Sequence, residues 1–216
     1  MNALETILIE GEMDERAILR SLLESLQPGD VALDVGAYQG LHSVFMAKKV
    51  GHQGKVIAFE PDPRNFKTLE ANIRLNELSQ ILSVPLALGD RLEDKPLFHS
   101  RRMTGASNSL IQTEGSDPSQ SVRVIPGDDF LSREGLPSPN VVKIDVEGYE
   151  YPVLKGLSRT LRQETVRRVC CEIHSPLFPP GTTPALILDL LKSLGFDKIE
   201  TATRGGQLQA VCSRLN

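Results

Sequence analysis

Apolar residues recur at helical spacing between Asp14 and Leu26, at Ala17, Ile18, Leu22, Leu23 and Leu26, until Pro28-Gly29-Asp30 ends the run. Two short continuous apolar runs follow, VALDV at 31–35 and KVIAFE at 55–60, and both read as buried strands. Between them a glycine loop opens a helix over about 41–50 that stops at Gly51. Pro61 to Pro63 turn the chain into a helix over about 64–76, with Phe66, Leu69, Ile73 and Leu75 on its sheet-facing side. A third strand, ILSVPLAL, ends at Gly89-Asp90. Strand, helix, strand, helix, strand predicts a parallel sheet with right-handed crossovers.

Residues 91–126 break this rhythm with short apolar pieces among Gly, Ser, Asp and Arg, and read as strand-like pieces around a mobile loop. The alternation then resumes. VVKIDVEG is a strand, YEYPVLKGLSRTL a helix and RRVCCEIHS a strand. TPALILDLLKSLGF is an amphipathic helix with Leu186, Leu190, Leu191 and Leu194 on one side. FDKIETAT and LQAVCSRL form a hairpin around Arg204-Gly205-Gly206. No repeat or linker divides the chain. It reads as a single α/β domain over 1–216, with an N-terminal helical segment at about 1–28 and an irregular substrate-side insertion at about 91–126.

Composition narrows the class of function. The 216 residues are 40% apolar and 24% charged, with a net charge of -4, so no overall basic field invites nucleic acid. Arg101-Arg102 and Arg167-Arg168 read as solvated surface pairs. Cys170, Cys171 and Cys212 show no CxxC spacing and read as buried hydrophobes of a reducing compartment. The acidic N-terminus does not resemble a signal peptide, and no run approaches the roughly 20 apolar residues of a membrane span. The expectation is a cytoplasmic protein with no membrane span, whose oligomeric state is not readable.

The chemistry sits at the strand ends. Gly36-Ala37-Tyr38-Gln39-Gly40 lies between a strand and a helix, where backbone can approach a ligand. Tyr38 occupies the middle glycine position of the dinucleotide fingerprint, which disfavours NAD and FAD, and the P-loop pattern is absent. S-adenosylmethionine carries no phosphate, and it suits a backbone turn with acids nearby. Asp34 would face its ammonium, Glu60 its ribose hydroxyls, and Asp90 its adenine edge. All three acids close parallel strands, where open α/β sheets bind ligands.

LDVGAYQGLHSVFMA, VIAFEPDPRNFKTLEANIRLN, PLALGD, VVKIDVEGYEYPVLKG and CEIH, in that order, resemble the FkbM-type S-adenosylmethionine-dependent methyltransferases. The resemblance covers about residues 30–175, and KIDVEGYE is its most specific piece. It implies a Rossmann-like class I methyltransferase sheet, mostly parallel with a C-terminal antiparallel hairpin. It also implies O-methylation of a hydroxyl on a sugar, lipid or secondary metabolite. By position, Asp34, Gly36, Ala37, Tyr38 and Gly40 would take the methionine end, and Glu60 with Pro61 the ribose. Ala87, Leu88 and Asp90 would flank the adenine. Tyr38 stands where the family commonly has Asn.

Methyl transfer to an alcohol needs an aligned oxygen and a proton acceptor. KIDVEG places Asp145 and Glu147 on one face of its strand end, and CEIH places Glu172 and His174 together. Asp145, His174 and Glu172 are the catalytic candidates, and Lys143 is placed to pair with Asp145. A divalent metal shared by Asp145, Glu172 and His174 is a less favoured alternative. Ser107, Asn108 and Ser109 are as readily a plain turn as a substrate contact. The acceptor is expected to be a small-molecule or glycan hydroxyl, whose identity the sequence does not name. A catalytically inactive cofactor-binding or interaction module on the same fold is the rival reading.

Overall fold

The computed structural model describes residues 13–100, 108–112, 116–204 and 207–214. The sequence builds a seven-stranded sheet first. Its strands are β1 (Val31–Val35), β2 (Lys55–Phe59), β3 (Ile81–Val84), β8 (Val141–Ile144), β9 (Arg168–Ile173), β10 (Lys198–Arg204) and β11 (Gln207–Ser213). Their spatial order is β10-β11-β9-β8-β1-β2-β3. β3, β2, β1, β8 and β9 run parallel, whereas β11 is antiparallel to both β9 and β10. A mostly parallel sheet with a closing antiparallel pair is what was expected. The turn expected at residues 205–206 lies outside the described residues, as do residues 1–12.

Uninterrupted apolar strands require cover on both faces. Alternate residues supply it here. Ala32, Val56, Ala58 and Val141 pack with α1 (Met13–Ser25), α2 (Leu41–Val50) and α3 (Pro63–Leu75). Leu33, Val35, Ile57, Phe59 and Ile144 pack on the other face, against a second sheet and the helices α4 (Gly127–Arg133), α5 (Glu150–Gly156), α6 (Ser158–Leu161) and α7 (Pro184–Ser193). Cys170, Cys171 and Cys212 are free and buried within these layers.

Several expectations need correction. β3 stops at Val84, because Pro85 removes a ladder donor and restrains the residue before it. Ala87–Gly89 is instead β4 of the second sheet, paired in parallel with β7 (Ser116–Pro126). The strand-like pieces expected over 91–126 belong to this second sheet, which β5 (Glu93–Ser100) and β6 (Asn108–Ser109) complete in the order β4-β7-β5-β6. Residues 101–107, where a loop was expected, are outside the described residues. Helix α4 was not anticipated, and the single helix expected after residue 148 breaks at Leu157 into α5 and α6. Leu75, at the last turn of α3, is 80% exposed rather than sheet-facing. In α7 the buried positions are Ile187 and Leu191, with Leu194 just beyond, while Leu186 is exposed.

Candidate active site

The carboxyl ends of β1, β2, β8 and β9 converge on the glycine loop. Gly36 has φ +80°, and a Cβ there would stand 1.8 Å from the backbone oxygen of Asp145. No other residue permits that approach. Asp145 in turn donates its backbone N–H to Val35 O at 3.0 Å, so the ends of β1 and β8 are stitched together. Gly40, at φ +91°, lets α2 start directly against Leu69 of α3. Tyr38, at φ +52°, carries its ring outward at the tip of the loop, whereas Ala37 is buried beneath it.

Glu60 follows β2 and is almost fully buried. Its Oε2 accepts from the Tyr38 N–H at 2.8 Å, and its Oε1 from the Asp62 N–H at 2.9 Å. Burial pushes the carboxyl up to about 7, against the pull of those two backbone donors. Half-buried Pro61 separates it from Asp62, which caps α3 through the Arg64 and Asn65 amides. Asp62 also accepts from Asn108 Nδ2 at 2.9 Å, while Ser109 Oγ donates to Glu147 O at 2.5 Å. Strand β6 therefore bridges the ends of β2 and β8, a structural role for the Asn108-Ser109 pair. Ser107 lies outside the described residues.

Asp34 lies below the loop rather than on it. Its side chain is wholly buried, with Oδ2 accepting from Ser43 Oγ at 2.6 Å and Oδ1 ion-paired to Lys143 Nζ at 3.2 Å. Lys143 also reaches Gly36 O at 2.8 Å and Asp145 Oδ2 at 3.3 Å. Burial alone would lower the Lys143 ammonium, but the Asp34 and Asp145 carboxylates raise it well above its usual range. The expected pairing of Lys143 with Asp145 is present, and it explains why a lysine survives inside the sheet. Asp34 braces that lysine and so shapes the loop from beneath.

On the far side of Asp145 stands His174, just past β9. Its Nδ1 lies 2.6 Å from Glu150 Oε1, and its Nε2 lies 3.7 Å from both Asp145 Oδ1 and Glu147 Oε2. Burial would lower the imidazole, yet the Glu150 hydrogen bond and the charges of Glu147 and Asp145 carry it up to about 9. Glu147 is raised to about 7, chiefly by burial. Burial also works to raise Asp145, but Lys143 and His174 hold it below the usual carboxylate range. Glu150 is fully buried and was not singled out in the sequence. An acid in the first turn of a helix reads as a dipole partner, and only its burial shows that it orients a histidine.

Glu172 does not join this cluster. It lines a small pocket on the α2 side, together with His42, Lys143, Asp145, Cys170 and Gln209. The pocket, of about 20 Å³, has room for one oxygen atom. Gln209, one of its lining residues and not anticipated from the sequence, has a buried Nε2 donor with no hydrogen-bond partner. Ala87, Leu88 and Asp90 lie elsewhere than expected, on and just after β4. Ala87 and Leu88 are core residues, and Asp90 pairs with Lys155 of α5 at 2.8 Å.

The methyltransferase FkbM domain family matches residues 34–198, from the first strand-end acid through the start of β10. The chain belongs to this family. It is 33% identical over 179 residues to the hexuronic acid methyltransferase AglP of Haloferax volcanii, spanning 82% of this chain and 69% of that protein. It is 28% identical over 204 residues to the methyltransferase sdnD of Sordaria araneosa, spanning 81% and 76%. Among solved structures it resembles an S-adenosylmethionine-dependent O-methyltransferase from Thermotoga maritima, with TM-score 0.56 and 13% identity over 100% of this chain and 72% of the other. It also resembles fibrillarin of Aeropyrum pernix with bound S-adenosylmethionine, with TM-score 0.54 and 13% identity over 92% and 74%. Likeness at that identity concerns the fold. The FkbM chain is an S-adenosylmethionine-dependent methyltransferase with a Rossmann-like sheet. Among its described residues no helix is long and apolar enough to cross a membrane.

Proposed function

We propose that this FkbM methyltransferase methylates a hydroxyl oxygen of a sugar acid or a closely related small acceptor, at the Asp145 end of β8. One observation carries the reading. With Glu147 at 22%, Asp145 is one of two partly open members of an otherwise buried charge network, 27% exposed where Lys143 is 5% and His174 3%. It also adjoins the Gly36 turn. The name of the Haloferax relative supports a hexuronic acid as acceptor.

The residues fit the cofactor. The loop from Gly36 to Gly40 offers backbone for the methionine end, and Glu60 offers a buried carboxylate for the ribose hydroxyls. No ligand contact is assigned to Asp34, which supports the loop, or to Ala87, Leu88 and Asp90. When bound, S-adenosylmethionine supplies a methyl group activated by its positive sulfur.

Lys143 keeps the Asp145 carboxylate ionised, so that it can orient an acceptor hydroxyl and take its proton. The O–H bond breaks toward Asp145 as the new O–C bond forms and the S–C bond breaks, leaving S-adenosylhomocysteine. Glu172 and the unpaired Gln209 amide can hold a neighbouring oxygen of the acceptor in the adjoining pocket. A panel of hexuronic acids and their glycosides, neutral hexoses, simple alcohols and amines tests the proposal through S-adenosylhomocysteine release. Turnover on hexuronic acids with O-methyl products is expected. Turnover confined to amines overturns it, and so does cofactor binding without turnover on any hydroxyl, the behaviour of a binding module.

A further inference from the structure

We propose that Asp145, Glu147 and His174 form a divalent-cation site. Each of the three side chains offers one ligand atom, and these atoms all lie within 4.8 Å of one another. They come from two strand ends that the parallel pairing of β8 and β9 sets side by side. Each carboxylate oxygen is 3.7 Å from Nε2, beyond hydrogen-bond reach. Two donors roughly 2.0–2.2 Å from a shared ion, at octahedral or tetrahedral angles, sit roughly 3–3.6 Å apart. At 3.7 Å the two carboxylate oxygens stand just outside that spacing and beyond hydrogen-bond reach, so a small inward shift of the three side chains would close them on an ion.

Two further observations point to a ligand. Glu147 Oε2 is a buried carboxylate oxygen with no hydrogen-bond partner. His174 is 3% exposed, and its one ring hydrogen bond, at 2.6 Å from Nδ1 to Glu150 Oε1, leaves Nε2 directed at the two acids. A carboxylate behind Nδ1 keeps a proton there, so that a metal displacing the Nε2 proton meets a ring already aimed at it, the arrangement by which outer carboxylates orient histidine ligands. The charge balance agrees, because Lys143 is shared between Asp145 and the buried Asp34. Glu172, although two residues from His174, belongs to the pocket on the other side of Asp145.

Two carboxylate oxygens and one imidazole suit manganese or zinc, with magnesium less well served by the nitrogen ligand. Three protein ligands leave positions open. If the acceptor reading above holds, these would take its hydroxyl together with a neighbouring oxygen. The site itself rests on the three side chains alone.

Chain stripped with a chelator and dialysed is titrated with manganese, the free ion being counted by electron paramagnetic resonance. Wild-type chain should bind one ion. Glu147→Gln and His174→Gln should weaken that binding at least about tenfold. Glu172→Gln should leave it unchanged. Each variant is checked by S-adenosylhomocysteine binding, so that misfolding is not read as metal loss. Absence of saturable binding to wild-type chain, or equal binding by folded Glu147→Gln and His174→Gln, overturns the site. Manganese that binds at this cluster, in a chain that methylates no hydroxyl, confirms the site and sinks the acceptor reading instead.

Discussion

His174 Nδ1 and Glu150 Oε1 stand 2.6 Å apart, joining the end of β9 to the first turn of α5. Both side chains are buried, and Glu150 Oε1 also accepts from the Gly148 N–H at 3.1 Å. One carboxylate thus fixes the imidazole ring and the turn that carries Glu147. Glu150→Gln keeps the volume and removes the charge. If His174 is the metal ligand proposed above, turnover should fall about 10- to 100-fold, the usual cost of losing the carboxylate behind a histidine ligand, while S-adenosylhomocysteine affinity stays the same. Nitrogen NMR of the His174 ring should show its titration moving to lower pH, because the Glu150 hydrogen bond helps to raise it. An unchanged ring signal would make Glu150 a packing residue.

Glu60, proposed above to hold the ribose hydroxyls, should give cofactor binding a pH dependence. Its carboxyl, at about 7, is neutral in acid and ionised in base, and only the ionised form accepts fully from ribose hydroxyls. S-adenosylhomocysteine affinity should therefore rise between about pH 6 and about pH 8. Glu60→Gln should bind more weakly and show no such slope by calorimetry. Linkage gives stability the opposite sign. A carboxyl raised from 4.5 binds more protons folded than unfolded, so its contribution is lost as pH rises through about 7. The ligand-free wild-type chain should lose more melting temperature over that window than Glu60→Gln.

Lys143 is a buried cation holding two acids and the Gly36 carbonyl. Lys143→Met leaves Asp34 without its cation and should cost about 3–5 kcal/mol in urea unfolding. The double variant Lys143→Met with Asp34→Asn should recover part of that loss, because the stranded charge is gone. A fully additive pair would show that the two do not interact.

Gly36→Ala places a methyl group against the Asp145 carbonyl at a φ that L-residues avoid. It should part the ends of β1 and β8, lowering the melting temperature and abolishing cofactor binding together. Gly29→Ala, where φ is +87° but nothing lies within 4 Å, should lower stability alone. Thermal melts with and without S-adenosylhomocysteine separate the two.

Much of this was legible because strand and helix periods are local. VALDV and KVIAFE announced buried parallel strands, which pair as β1 and β2. Pro85, inside an apolar run, concealed the change of sheet between β3 and β4. The site's partnerships were hidden for a different reason. Glu150 with His174, and Glu172 with Gln209, are set by strand order and register, which no local pattern carries. Asp34 was read as a ligand contact because its place in the sequence is right. The lysine that occupies it comes from residue 143, far along the chain.

The most direct test follows a carbon-13 methyl group from S-adenosylmethionine into a hexuronic acid acceptor, for wild-type chain and for Asp145→Asn. NMR of the product should place the label on oxygen in the wild type. Asp145→Asn should slow its formation by ~10²–10⁴-fold while binding S-adenosylhomocysteine normally. Label on nitrogen or carbon, or an Asp145→Asn chain that turns over at the wild-type rate, would contradict hydroxyl methylation at Asp145.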